Sequence, residues 1–452
     1  MSITISRILH AGYVLQCAGT CIAIDTIFEN PFSKNCHAFP PIQFDYEKIK
    51  QLNFSAVFIS HFHDDHCSLE SLNYLDRATP IYIYCLFEEL IAWIKEMGFK
   101  EVHALDLNVP IQVGSFEVIP RRALDADVDS LFQIKAAGLN ILNVVDSWID
   151  EDTLNLLKGQ VPWDFIMWPF QTMRELEVIS PLRAEPSSAE IPVEWVDQLK
   201  MLQPRFLVPS SCQFKQEAWS WYNNAFFPIS YKAFSKQVNS VLPQTEVVRL
   251  DPGVGVSLSA TELKSAEPLP WIIPLAPAGL DYEYIKDLKP PGTASVAANF
   301  PALNAQQTAR VMDYCTTALK EKYEAMEIPD DSYFLKPRVW KLSLYPQQGE
   351  ATHFFYRIHK NKIELLSSPS ADFAWLTEVP IFKVWNSLEA GETLTSMYMR
   401  INDVYFSSQI EKELELVDIA EDPLIRCLFN GVFGTYQKAQ LESLKARHYQ
   451  RP

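Results

Sequence analysis

With 452 residues, 48% hydrophobic and 21% charged, the chain has room for two packed cores and an ordinary globular composition. A formal net charge of −17 offers no basic surface to neutralise phosphates, which sets aside nucleic acid as an expected partner. The opening MSITISRILHAGYVL lacks a basic segment followed by an apolar one, and no apolar run is long enough for a bilayer, so neither a signal peptide nor a membrane partner is expected. The eight cysteines are scattered without a C-x-x-C pair and read as reduced thiols of a cytoplasmic protein.

Residues 3–9, 13–17 and 21–27 have the β-rich character of strands, with Ala18-Gly19 turning the second hairpin. The apolar run 56–60 ends at a histidine cluster, after which Ser68 is placed to cap a helix over 69–76. A strand at 80–85, a helix at 86–97 and strands at 116–120, 131–136 and 140–145 follow. Strands at 165–168 and 206–209, with a helix around 193–201 between them, complete an α/β pattern. Pro268, Pro270, Pro274, Pro277, Pro290 and Pro291 mark an extended linker over 263–300. Beyond it, a helix over 305–326, strands at 339–345, 354–359 and 363–367, and helices at 382–388 and 423–444 predict an additional C-terminal α+β domain. The expected organisation is a catalytic domain at 1–262, the linker, and an accessory domain at 301–452 that covers the site, shapes its pocket or forms an oligomer contact.

The strongest chemical signal is Ser60-His61-Phe62-His63-Asp64-Asp65-His66, which fits H-x-H-x-D-H directly after an apolar strand. Imidazole and carboxylate are the side chains that bind borderline and hard divalent ions. On a loop leaving a strand end, His61 and His63 can face one metal while Asp65 and His66 face a second. The structural alternative is a polar loop, and three of the chain's 9 histidines within six positions weigh against it.

This motif resembles that of the metallo-β-lactamase superfamily, whose fold is an αββα sandwich. Leu9-His10-Ala11-Gly12 followed by Ile22-Ala23-Ile24-Asp25 is similar to the family's first hairpin, with His10 either structural or part of the site. The run Asn140-Ile141-Leu142-Asn143-Val144-Val145-Asp146-Ser147 resembles the strand that ends in the family's bridging aspartate. Asp146 is therefore the candidate bridge, against a plain turn or cap role. Two departures stand out. The family's third histidine is missing from 121–129, which reads Arg121-Arg122-Ala123-Leu124-Asp125-Ala126-Asp127-Val128-Asp129, and its late histidine is missing from 207–214.

Segments 59–66, 125–129, 141–147 and 202–205 leading into 209–214 are further similar to the catalytic part of CMP-N-acetylneuraminate hydroxylase, a monooxygenase of this fold that also lacks the late histidine. The resemblance covers the first half of the chain. It puts Asp125 where the hydroxylase has a histidine. The hydroxylase's Rieske domain has no counterpart, since no C-x-H…C-x-x-H pair exists and Cys36-His37 lack the spacer. The sialic-acid substrate is therefore not carried over.

With Asp125 as a ligand, and Asp127 as its rival on the same side of an extended segment, His61, His63 and Asp125 form a two-His-one-carboxylate set. Asp65 and His66 serve a second ion and Asp146 bridges, which also makes Asp65 and Asp146 the candidates for catalytic roles. One or two divalent ions are expected, iron favoured, with zinc and manganese as alternatives. Arg121, Arg122, Ser211 and Cys212 are candidates for substrate contact. A surface arginine and a core cysteine are the structural alternatives, and only one of two adjacent strand residues can face the site. The expected function is a non-haem iron oxygenase or oxidase of a small polar metabolite, fed by a separate electron donor. The alternative is a hydrolase of an ester, amide or phosphoester that uses a metal-activated water. A third reading is a decayed site with a binding role.

Overall fold

The strand Ala56–Ile59 is buried at every position, with Ala56 and Phe58 in one hydrophobic core and Val57 and Ile59 outside it. A strand apolar on both faces belongs between two layers. It lies there in the computed structural model, which describes residues 1–185, 188–328, 333–429 and 434–449. An 8-stranded sheet runs in the order Leu263–Ala266, Gly255–Leu258, Ile3–Arg7, Tyr13–Cys17, Thr20–Ile24, Ala56–Ile59, Ile81–Ile83, Val102–Ala104. Its pairings are antiparallel up to Thr20–Ile24 and parallel beyond. A 7-stranded sheet runs Glu246–Val247, Pro204–Ser210, Trp163–Pro169, Leu139–Asn143, Ser130–Ala136, Phe116–Arg122, Ile111–Val113. Here the first four strands are parallel and the others antiparallel.

The core between the sheets takes Ile5, Leu15, Ile24 and Phe58 from one and Val118, Phe132, Phe165 and Val208 from the other. The Phe58 and Phe132 rings meet edge to face with centroids 6.0 Å apart. Val57, Ile59, Leu142, Ile166 and Leu207 are equally buried outside that core. The helices Glu88–Glu96, Val193–Leu202 and Tyr231–Val241 each bury one apolar stripe against these outer faces. The result is the αββα sandwich expected from the motif. Ala18 and Gly19 take positive φ, 46° and 82°, as a two-residue hairpin turn requires. Ser68 caps its helix by accepting from Ser71 N at 3.1 Å, although that helix is Leu69–Asn73 rather than 69–76.

The chain divides into two compact units, Met1–Met173 with Ser188–Ile285 and Gln437–Pro452, and Arg174–Ser187 with Lys286–Tyr436. The first unit thus runs past the boundary expected at 262. Leu263–Ala266 is an edge strand and Ile272–Pro274 pairs with Ile42–Phe44, so two short stretches of 263–300 are paired strand. Prolines suit such edges, where their missing N–H faces no partner. The second unit has a 5-stranded sheet in the order Lys362–Leu365, Thr352–His359, Arg338–Tyr345, Trp375–Pro380, Arg400–Ile401, with helices that include Ala305–Asp313 and Ile381–Ala390. The helix expected over 305–326 runs without a gap from Ala305 to Ala325, with a π-helical stretch at Tyr314–Ala318. The one expected over 423–444 becomes Pro423–Phe429 and Thr435–Ala446, and its positions 430–433 lie outside the described residues. Among the described residues, no helix is long and apolar enough to cross a membrane.

Candidate metal centre

Parallel strands bring their C-terminal ends to one edge of a sheet, and loops leaving such ends carry ligand sites in α/β proteins. His61, His63, Asp65 and His66 follow Ala56–Ile59, and Asp146 and Ser147 follow Leu139–Asn143. The hairpin register, Tyr13 opposite Ile24, brings His10 and Asp25 to the same edge. Two clusters of ligand atoms result, one of His61, His63 and Asp129 and one of His10, Asp65, His66 and Asp146.

In the first cluster His61 Nε2 lies 3.0 Å from His63 Nδ1 and 3.7 Å from Asp129 Oδ1. In the second, His10 Nε2 lies 3.2 Å from His66 Nε2 and 3.0 Å from Asp65 Oδ2. Asp146 spans them, with Oδ2 3.1 Å from His66 Nε2 and Oδ1 4.0 Å from His61 Nε2. Nitrogens on a tetrahedral ion at ~2.05 Å would be about 3.3 Å apart, so both His–His separations are close to one coordination edge. Asp129 Oδ1 and Asp146 Oδ1 are buried without a hydrogen-bond partner. Buried anionic oxygens beside paired imidazole nitrogens fit a divalent cation.

Behind the ligands, Asp25 sets the tautomers. It accepts from Ser60 N at 2.8 Å and Ser60 Oγ at 2.7 Å, and His66 Nδ1 lies 3.0 Å from its Oδ2. Ser60 Oγ in turn lies 3.0 Å from His61 Nδ1. Both Nδ1 atoms therefore carry the proton, and both Nε2 lone pairs face the centre. Ser147 Oγ donates to Asp129 Oδ2 at 2.8 Å. Gln437 Nε2 donates to the carbonyls of Phe62 and Cys67 at 2.7 and 2.8 Å, which clamps both ends of the histidine loop. The buried Arg7 guanidinium grips the carbonyls of His10 and Pro209, holding His10 at φ 49°.

Burial and then His66 and His63 keep His61 well below its ordinary value. Burial opposes charge on His66, but Asp146 and Asp65 raise it well above. Burial, then Asp146, lifts Asp129 to about 6, and burial, then Asp65, lifts Asp64 to about 7. Groups crowded in this way exchange protons for a divalent cation.

Of the residues singled out by sequence, the structure gathers His61, His63, Asp65, His66 and Asp146. It does not gather Asp125, which is exposed, while Asp129 stands beside His61. The reason is local. Asp125 O accepts from Val128 N and Asp129 N at 3.2 and 2.7 Å, so the segment is a turn and not the extended run that the parity argument assumed. Arg121 is turned into a network with Gln133 and Asn108, and Arg122 pairs with Asp150 at 3.1 Å. Ser211 and Cys212 are buried at positive φ, 56° and 42°, and neither belongs to a ligand cluster. Sequence reasoning missed Asp129 and Asp25 and left His10 undecided. The hairpin register was the signal for His10 and Asp25.

No family model and no curated protein matches the chain. Among solved structures, the chain is similar to Igni18, a metallo hydrolase from Ignicoccus hospitalis, at 16% identity over 57% of this chain and 99% of that one, TM-score 0.40. It is similar to CmlA, a diiron β-hydroxylase from Streptomyces venezuelae, at 15% identity over 57% and 54%, TM-score 0.39, and so spans about half of that protein. It is also similar to an isothiocyanate hydrolase from Delia radicum gut bacteria, at 14% identity over 57% and 99%, TM-score 0.42. The αββα sandwich with H-x-H-x-D-H at a strand end agrees with the resemblance to the metallo-β-lactamase fold read from the sequence.

Proposed function

We propose that this chain is a metal-dependent enzyme holding two divalent ions, and that it works as a non-haem iron oxygenase or oxidase. Asp129 carries the reading. It meets His61 and His63 where the superfamily pattern would present a third histidine. Two imidazoles and one carboxylate are the ligand set of non-haem Fe(II) oxygenases, and they leave coordination positions open. His61, His63 and Asp129 would hold one ion, His10, His66 and Asp65 the other, with Asp146 shared. Bound metal supplies Lewis acidity and, as iron, electron exchange with O₂. The chain's own groups do the positioning: Asp25 fixes the Nε2 lone pairs of His61 and His66, Ser147 orients Asp129, and the exposed His63 marks the accessible side. A separate electron donor belongs to this proposal. The likeness of 59–66 and 141–147 to the hydroxylase's catalytic part supports it.

The same two clusters also fit a second reading, hydrolysis of an ester, amide or phosphoester: with His10 completing the second cluster, two ions would flank a shared water and lower its pKa. Metal analysis of protein purified from unsupplemented cells, together with an oxygen electrode, separates the two. Two irons per chain and O₂ uptake that His61→Ala abolishes support the oxygenase. Two zincs with O₂-independent turnover support the hydrolase, and failure to bind any divalent ion rejects both.

A further inference from the structure

A cavity of about 780 Å³ lies wholly among residues of the second unit. Its size suits a small organic molecule. The floor is apolar: Trp375 and Ile401 are each 1% exposed and Leu414 is 6% exposed. Leu176 and Leu182 also line it and stay 50% and 45% exposed, so a bound molecule could cover them. One polar group is set among these residues. Asn402 lines the cavity and is 3% exposed. Its N donates to Leu376 O at 2.8 Å, its Oδ1 accepts from Leu376 N at 2.8 Å, and its carbonyl accepts from Arg183 Nε at 3.1 Å. These bonds fix the carboxamide and leave Nδ2 as a donor with no hydrogen bond among the described residues. A donor in so buried a residue calls for an acceptor oxygen.

Charge defines the other end of the occupant. Among the described residues Arg183 is the one cation that lines the cavity. It is taken up by Glu411, at 2.6 and 3.3 Å, and by the carbonyls of Asn402 and Val404. Glu185, Glu415 and Asp418 line the cavity too, are exposed, and enter no ion pair among the described residues. Asp418 also accepts from Ala420 N at 2.8 Å, a bond that leaves its charge in place. Glu411, Leu414 and Glu415 share one face of the helix Ser408–Leu414 and its cap. Lys412 and Glu413 lie off that face and do not line the cavity, and Glu413 holds Arg338 and Lys336. An entering molecule therefore meets three uncompensated carboxylates at the rim, apolar surface within, and an amide donor at the floor.

We infer that the second unit carries a ligand site of its own, for a small organic cation with an apolar body, a hydrogen-bond-accepting oxygen that meets Asn402, and an ammonium at the acidic rim. The site is separate from the metal centre and does not depend on it. Three phenylpropanamides of identical body, whose butyl tails end in an ammonium, a methyl or a carboxylate, test it by calorimetry on the full chain. The ammonium compound should bind about 5-fold tighter than the methyl compound, the gain expected from exposed carboxylates, and the carboxylate compound should bind weakest. Glu415→Lys, an exposed change that suits a helix C-terminus, should erase the ammonium preference. Leu182→Ser, also exposed, should weaken the ammonium and methyl compounds alike by about 3-fold or more. Asn402→Asp keeps the acceptor for Leu376 N and suits the backbone at φ 50°, but lacks the donor, so it should weaken the methyl compound about 3-fold. Glu415→Lys and Leu182→Ser keep the test valid if Asn402→Asp fails to fold. His61→Ala should leave all three affinities unchanged. Absence of binding, equal binding of the three compounds, or a preference that survives both Glu415→Lys and Leu182→Ser overturns the site. Binding that is lost in His61→Ala overturns it as well, by placing the compounds at the metal centre.

Discussion

His10→Asn is the sharpest test of the second cluster. Asparagine tolerates the left-handed backbone at φ 49° and keeps the carbonyl that Arg7 holds, but its side chain ends short of the imidazole Nε2 position. That nitrogen is one of four ligand atoms, 3.0 Å from Asp65 Oδ2 and 3.2 Å from His66 Nε2. Groups that merely support a ligand are worth 10–100-fold in metal affinity, so removing a ligand atom should cost about 100-fold, or ~2.7 kcal/mol. The first cluster shares only Asp146 with the second and should change less than about tenfold. Titration calorimetry with Zn(II) should show two tight sites in the parent and one in the variant. Metal content after dialysis should fall from two to one. The rival account makes His10 a packing residue between Phe32 and Phe214, whose ring centroids lie 5.6 and 5.8 Å away. Two unchanged sites in His10→Asn, with a lowered melting temperature, would establish that account and refute the ligand role.

Asp129→Ala should strip the first ion, whereas Asp125→Ala, on the exposed turn, should keep the parent's metal content in elemental analysis. Loss of metal in Asp125→Ala alone would reverse the assignment. Asp25→Asn suits the backbone at φ 43° but removes the charge behind both Nε2 ligands, so metal affinity should drop about 10–100-fold with the far-UV spectrum retained. Glu29 accepts from Ser68 and Ser71 and is raised above its ordinary value, chiefly by burial. A raised folded-state value means that its contribution to stability is complete below the unfolded value near pH 4.3 and is lost as pH rises through the folded one. Glu29→Gln should therefore gain urea stability relative to the parent as pH rises from about 4 to 7; a difference independent of pH would show that Glu29 ionises freely.

How far the site can be read from sequence depends on how local each contact is. His61, His63, Asp65 and His66 lie on one loop, so spacing alone carries their geometry. Asp146 is legible because it ends an apolar strand. Asp129 is not, because choosing it over Asp125 and Asp127 requires knowing that 125–129 folds as a turn, a fact set by the backbone bonds to Asp125 O. Arg121 and Arg122 illustrate the limit of strand parity. Gln133, across the sheet on the neighbouring strand, captures one and Asp150, beyond the bridge between Ala123 and Ile149, captures the other. The sandwich is legible from strands apolar on both faces. The strands within 263–300 are not, since Pro274, one of the prolines that read as extended chain, ends a strand paired with Ile42–Phe44.

Each half of the candidate centre draws one residue from outside the histidine loop: Asp129 stands beside His61 and His63, and His10, from the first hairpin, beside Asp65 and His66. This leaves two imidazoles and one carboxylate in each half, His61, His63 and Asp129 against His10, His66 and Asp65, with Asp146 between them. A pair of ions held by matched ligand sets should take the same element at both positions, because ligand hardness, which selects among first-row metals, is the same on both sides. What differs is access. His10 and His66 are buried while His63 is exposed, so the first ion should exchange faster than the second. Stopped-flow removal by a chelator should then be biphasic, with His63→Ala abolishing the fast phase and His10→Asn the slow one. A single phase removed equally by either substitution would mean that the two clusters hold one ion between them.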